Sequence, residues 1–151
     1  MYQASLETPV GILTATSNGH AITRLIWAGA DRQDIRPELT ETMAQLAAYF
    51  DKRLTEFDVP LDVEASRFQR DVCDAMRAIP FGETLTYGDI ATRLGAPAQA
   101  VGQACGGNPI PVIIPCHRVL GATSLGGFSG AGGVETKVWL LRHEGAAGLL
   151  I

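Results

Sequence analysis

Hydrophobic and polar positions alternate in short runs along the first part of the chain. Tyr2 to Leu6, Ile12 to Ser17 and Ala21 to Trp27 read as three strands, separated by the turn signals Pro9-Val10-Gly11 and Asn18-Gly19. Alternation puts every second side chain on one face of a sheet, so these runs predict a small antiparallel meander. Behind Pro37 the period lengthens: Leu39, Met43, Leu46 and Phe50 recur at helical spacing, and proline suits the first turn, where its missing N–H would have no helical partner. Phe57 to Val63 is expected to return as a further strand. No cluster of His, Cys or paired carboxylates marks this segment, so its expected role is support.

From Ser66 the pattern turns helical. Ser66 and Gln69 make a Ser-x-x-Gln cap, and Phe68, Val72, Ala75, Met76 and Ile79 line one face until Pro80 ends the helix. A domain boundary is therefore expected here, giving a supporting domain over residues 1–65 and a functional one over 66–151. Cys73, close to the apolar face, reads as a packing cysteine. Thr86 then caps a short helix that stops at Gly95, and after Ala96-Pro97 a second helix of small residues runs through Gly106. Two short helices about a glycine turn suggest a helix-turn-helix. The second carries almost no charge or bulk from Gln99 to Cys105, which suits close approach to a shallow minor groove better than arginine reading of the major groove. Asn108 to Pro115, with three prolines, is expected to run extended and stiff, presenting Cys116 at a set angle. Gly126, Gly127, Gly130, Gly132 and Gly133 form a loop about Phe128-Ser129. A last helix over Val134 to Glu144 is expected to pack through Val138 and Leu141 and end at Gly145. The fold class is α+β: a short antiparallel sheet plus helix, then a mainly helical domain.

Composition narrows the function classes. At 151 residues and 46% hydrophobic content the chain can bury one ordinary core, or one domain with a smaller partner. No stretch approaches the roughly 20 apolar residues of a membrane helix, and Met1 to Ser5 lacks the features of a signal peptide, so a cytoplasmic, membrane-free protein is expected. Three cysteines, with no Cys-x-x-Cys spacing, argue against both a disulfide framework and a zinc site. The net charge of -4 is unevenly spread. Residues 1–65 hold 5 basic and 10 acidic side chains, residues 66–151 hold 7 and 6, so any nucleic-acid face lies in the second part. Phosphate attraction there is modest.

Cys116 attacks only as thiolate, and an ordinary thiol with a pKa of about 8.5 is mostly protonated at neutral pH. His117 is the nearest base. On an extended backbone neighbouring side chains diverge, so His117 would act through a bridging water, with Glu144 a candidate to orient the imidazole. On residues alone, a Cys-His dipeptide leaves a hydrolase or a redox-sensing regulator open.

The run Pro115-Cys116-His117-Arg118-Val119 resembles the active-site motif of the O6-alkylguanine-DNA alkyltransferases. The resemblance extends over about residues 66–145, through Phe68-Gln69, Ile79-Pro80-Phe81-Gly82-Glu83-Thr84, Thr86-Tyr87-Gly88, Ala100-Val101-Gly102, Asn108-Pro109 and Trp139-Leu140-Leu141-Arg142-His143-Glu144-Gly145. It implies a helix-turn-helix that enters the minor groove of double-stranded DNA and flips an O6-alkylguanine, and possibly an O4-alkylthymine, into a pocket. Cys116 would take the alkyl group, His117 the thiol proton, Glu144 would hold the imidazole, and Tyr87 would donate to the departing base. Val119, Ser129, Asn108 and Phe128 would form or support the pocket, and Thr86, Gln99, Ala100 and Gly102 would meet DNA. Arg118 would be structural or a phosphate partner. The thioether product implies one turnover per molecule, with no cofactor or metal and a monomeric protein.

Four features depart from the family pattern. Gln99 stands where an arginine usually fills the gap left by the flipped base, which predicts weaker binding or slower flipping. Cys105-Gly106-Gly107 lacks a cation some relatives carry, Phe128 replaces a more usual tyrosine, and the segment Phe128 to Gly133 is two residues longer than the commonest form. A lesion-binding protein without transfer is a further reading, although such relatives replace the reactive cysteine.

Overall fold

The computed structural model describes residues 1–146, and these fall into two compact units, Met1–Glu64 and Ala65 onward. In the first, strands β1 (Tyr2–Thr8), β2 (Gly11–Ser17) and β3 (Ile22–Ile26) form an antiparallel sheet in sequence order. β1 and β2 pair from Tyr2↔Ser17 to Thr8↔Gly11. The register of β2 with β3 slips between Thr16 and Ser17, beside a turn in which the Asn18 side chain accepts from the amides of His20 and Ala21. Helix α1 (Pro37–Phe50) packs on β1 and β2. Its buried stripe is Leu39, Thr42, Leu46 and Tyr49, with Met43 and Phe50 half-buried, so the inner face is turned slightly from the one the apolar spacing predicts. The expected strand over residues 57–63 does not form. Only Leu61 bridges Ile22, because Pro60 has no N–H to extend a ladder.

The second unit holds helices α2 (Arg67–Arg77), α3 (Tyr87–Leu94), α4 (Ala98–Gly106) and α5 (Val134–Glu144), with a two-residue parallel pair, β4 (Leu85–Thr86) and β5 (Val119–Leu120). Ser66 caps α2 by accepting from the Gln69 amide at 3.1 Å. The Gln69 side chain does not close the box; it reaches α4 instead, donating to the Ala104 carbonyl at 2.7 Å. Thr86 and Asp89 close a full capping box on α3, and Gly95 ends that helix with φ 64°, a left-handed conformation that costs glycine little. Helices α2, α3 and α4 pack together, and α3 with α4 forms the helix-turn-helix. Among the described residues no helix is long and apolar enough to cross a membrane.

Two expectations for the second unit need correction. Asn108 to Pro115 is not extended: Val112 has φ 71° and sits in a γ-turn closed by the Ile113 amide on the Pro111 carbonyl at 2.9 Å. A β-branched residue there is strained by about 1–3 kcal/mol, and every residue from Ile110 to Val119 is buried around it. Helix α5 buries Thr136, Lys137, Leu140, Leu141 and Glu144, while Val138 is only half-buried.

Candidate active site

Cys116 opens a single 3-10 turn, Cys116–Arg118, fixed by three backbone hydrogen bonds: its own amide to the Ile114 carbonyl at 2.8 Å, the Arg118 amide to the Pro115 carbonyl at 3.0 Å, and the Val119 amide to the Cys116 carbonyl. Asn108 braces the loop from behind. Its side-chain amide donates to the Ile114 carbonyl at 2.8 Å and its oxygen accepts from the Ile110 amide at 3.0 Å, which sets its polar amide near the Cys116 sulfur. Burial pushes the Cys116 thiol up to about 11, against the pull of Asn108, the Lys137 charge and its own backbone. The resting sulfur therefore keeps its proton at neutral pH and needs a base.

The candidate base, His117, is framed by the turn and α5 together. The His117 ring, fully buried, meets Glu144 with Nε2 2.7 Å from Oε2. Arg118 holds the same carboxylate through Nε at 2.8 Å and Nη2 at 3.0 Å, and its Nη1 donates to the Ile79 carbonyl at 2.6 Å. Burial raises the Glu144 pKa, but the hydrogen bonds and charges of His117 and Arg118 outweigh it and bring the carboxyl down to about 2. With Arg118 compensating Glu144, burial wins at the imidazole and lowers the His117 pKa, so the ring is neutral. A neutral ring beside a carboxylate carries its proton on Nε2. Nδ1 is then a lone-pair acceptor, and it is buried with no hydrogen-bond partner.

Lys137 completes the site, and the sequence reading did not include it. Seven residues before Glu144 on the same face of α5, it is fully buried, donating to the carbonyls of Val119 at 2.6 Å and Gly127 at 3.0 Å. Its ammonium lies 5.9 Å from the Tyr87 ring centroid. It ties the strand after the cysteine to the glycine loop and places a positive charge near Cys116. The only sequence signal was a lysine in line with the apolar stripe of α5.

A cavity of about 340 Å³ opens beside the thiol, lined by Tyr87, Gly102, Cys105, Gly106, Cys116, Gly127, Phe128 and Ser129. It brings together Tyr87, Ser129, Phe128 and Gly102 from the expected set. Asn108 lies behind the loop, and Val119 is fully buried outside the lining. The Val119 carbonyl already accepts from Lys137, which leaves one lone pair. Thr86 is occupied as the α3 cap; Gln99 is exposed in the first turn of α4, with Ala100 half-buried beside it. Burial raises the Tyr87 pKa, so its hydroxyl is a donor at neutral pH. Gly126 has φ 73°, and a Cβ there would come within 2.7 Å of the Tyr87 hydroxyl, so the loop can pass the tyrosine only as glycine. No group of three or more metal-ligating side chains occurs among the described residues.

This arrangement sets a thiol on the wall of a cavity of about 340 Å³, next in sequence to a buried neutral imidazole. Residues 67–146 match the 6-O-methylguanine DNA methyltransferase DNA-binding domain, and residues 1–63 match the ribonuclease-like domain of the same family. The methylated-DNA–protein-cysteine methyltransferase of Mycolicibacterium paratuberculosis is 42% identical, over 93% of this chain and 90% of its own. The constitutive enzyme of Bacillus subtilis is 37% identical, over 95% and 94%. The crystal structure of Mycobacterium tuberculosis OGT in complex with DNA superposes with a TM-score of 0.86 at 41% identity, covering 96% of this chain and 93% of that one. With both units matched and relatives aligned over nearly their full length, the chain belongs to the 6-O-methylguanine DNA methyltransferase family.

Proposed function

We propose that this chain repairs alkylated DNA directly, moving the alkyl group from O6 of guanine, and from O4 of thymine, onto Cys116 in one irreversible turnover. The observation that carries this reading is the buried Nδ1 of His117, the residue next to Cys116, which has no hydrogen-bond partner while Nε2 is committed to Glu144. His117 takes the Cys116 proton through a bridging water as the sulfur attacks the alkyl carbon. The carbon–oxygen bond breaks, its electron pair goes to the base, and the Tyr87 hydroxyl donates to the departing guanine. Glu144 stabilises the imidazolium as it forms, and Arg118 keeps that carboxylate ionised. The product thioether has no exit, so each monomer acts once, without cofactor.

The second unit, beginning near residue 65, carries DNA binding and transfer, and the first supports it. Small side chains on α4 let its backbone lie close in the minor groove, with Ala100 and Gly102 against the strand and Gln99 entering the base stack. Thr86 caps the helix that presents Tyr87. Ser129 and Phe128 face the base across the cavity, and the free lone pair of the Val119 carbonyl is available to its amino group.

The test is intact mass and peptide mapping after incubation with a duplex carrying one O6-methylguanine. One methyl group on Cys116, absent from Cys116→Ser, supports the reading. Binding of the duplex without any modification of the protein would instead mark a lesion sensor.

A further inference from the structure

A second thiol shares the reactive cavity. Cys105, on the last turn of α4, is 5% exposed and lines the same 340 Å³ space as Cys116, and alkyl transfer as derived above gives it no task. Cys73, the third thiol, does not line it. We propose that Cys105 is a second covalent acceptor that captures the far end of bifunctional lesions, O6-(ω-haloalkyl)guanines, after Cys116 has taken the near end. The inference rests on Cys116 being the alkyl acceptor.

The chemistry follows in two displacements. The Cys116 sulfur bonds the carbon attached to O6, and guanine leaves with the electron pair. The chain now hangs from Cys116 into the cavity, with its carbon–halogen bond still intact. Burial pushes the Cys105 thiol up to about 12, so this second displacement is slower than the first and takes place on the long-lived single-turnover product: the Cys105 sulfur bonds the terminal carbon, halide leaves with the electron pair, and the thiol proton passes to water at the cavity mouth. The product is a dithioether joining residues 105 and 116, with no oxidant or reductant consumed.

Geometry favours this over the alternatives. A cavity of this volume is about 9 Å across if taken as a sphere. A six-carbon chain with sulfur at each end reaches roughly 9 Å, the width of the cavity, so the two sulfurs need not touch to be bridged. The other nucleophiles on the wall, the hydroxyls of Tyr87 and Ser129, are intrinsically weaker than sulfur. Holding the electrophile within the cavity raises its effective concentration at Cys105 far above that of any soluble thiol. Because Cys105 is buried, an electrophile in solution reaches it poorly, and delivery through Cys116 is what exposes it to attack. The consequence for repair is that a reactive halide is consumed inside the protein instead of cross-linking it to DNA.

The wild-type chain tests this directly. It is incubated with a duplex carrying one O6-(6-bromohexyl)guanine, whose tether is too long for the Cys116 thioether to close readily on its own sulfur, and in parallel with the O6-methylguanine duplex, then denatured, capped with iodoacetamide and digested with trypsin. Cleavage after Arg93 and Arg118 leaves both thiols on one peptide, Leu94 to Arg118. The expected peptide gains a hexylene bridge, holds neither bromine nor capping groups, and gives no backbone fragments between residues 105 and 116, while Cys73 alone is capped. A peptide with bromohexyl, hydroxyhexyl or a cyclic sulfonium on Cys116 and a capped Cys105 overturns the proposal and leaves alkyl acceptance standing. If neither duplex modifies Cys116, the reading beneath it fails as well.

Discussion

Replacing Glu144 by glutamine probes the base and the fold at once. The carboxylate accepts from His117 Nε2 and from two nitrogens of Arg118, and its side chain is fully buried. Glutamine keeps the shape but removes the charge, leaving the 6% exposed Arg118 without a counter-ion, and breaking one side of a buried pair costs about 3–5 kcal/mol. A similar figure comes from titration. The Glu144 pKa falls from an ordinary 4.5 to about 2 on folding, a difference worth about 3 kcal/mol. Because the folded value is the lower one, this stability is complete above about pH 4.5 and is lost as pH falls towards 2. The glutamine NH₂ would also face either Arg118 or His117 Nε2. In the second case it forces the imidazole proton onto Nδ1 and removes the base, so transfer should slow by about 10²–10⁴-fold. Trp139 lies on α5, so urea unfolding followed by tryptophan fluorescence in a Trp27→Phe background reports on the second unit. The expected result is a deficit of about 3–5 kcal/mol for Glu144→Gln at pH 7 that narrows steadily below pH 4.5. A deficit under about 1 kcal/mol, or one independent of pH, refutes the ion-pair reasoning.

Three further outcomes are expected. Lys137→Met strands the buried carbonyl of Val119, costing about 1–3 kcal/mol in urea unfolding, and releases the exposed Gly127 carbonyl to water, slowing transfer by loosening the glycine loop; unchanged stability would show that the Val119 carbonyl finds another donor. Gly126→Ala forces a Cβ towards the Tyr87 hydroxyl at a φ that disfavours alanine, so single-turnover transfer should fall at least tenfold, and a wild-type rate would mean the loop yields freely. Gln99→Arg adds a cation at the exposed start of α4. Duplex affinity should rise and the slope of log affinity against log salt should steepen by about one, and an unchanged slope would remove this residue from the DNA face.

The sheet and the main helices were legible because their signals are local: alternation in β1 to β3, the Ser66 cap, the Thr86 box, and the glycines that stop α3 and α5. The strand expected over residues 57–63 is cut to a single bridge at Leu61, beside Pro60, which has no N–H for a ladder. Val112 was not legible at all, because nothing in the residue type announces positive φ in a β-branched side chain; the buried surroundings impose it. The site divides along the same line. Cys116, His117, Glu144 and Tyr87 are named by motif resemblance; the structure joins His117 to Glu144 in one buried network and puts Cys116 and Tyr87 on one cavity. Lys137 was missed because a lysine in a helix reads as solvent-facing until its tertiary partners are known, and here those partners are backbone carbonyls, which leave no trace in sequence. Arg118 was placed as structural or phosphate-binding; its three bonds to Glu144 and Ile79 make it structural, buried beneath the base it stabilises.

The most direct measurement is a label balance on a duplex whose single O6-methylguanine carries tritium in the methyl group, with protein-bound label and restored guanine counted in the same reaction. The account predicts equal amounts of both, rising to no more than one per protein chain, with all of the label on Cys116. Guanine restored without label on the protein would contradict it, because the methyl group would then have left by hydrolysis or oxidation and not by transfer to sulfur.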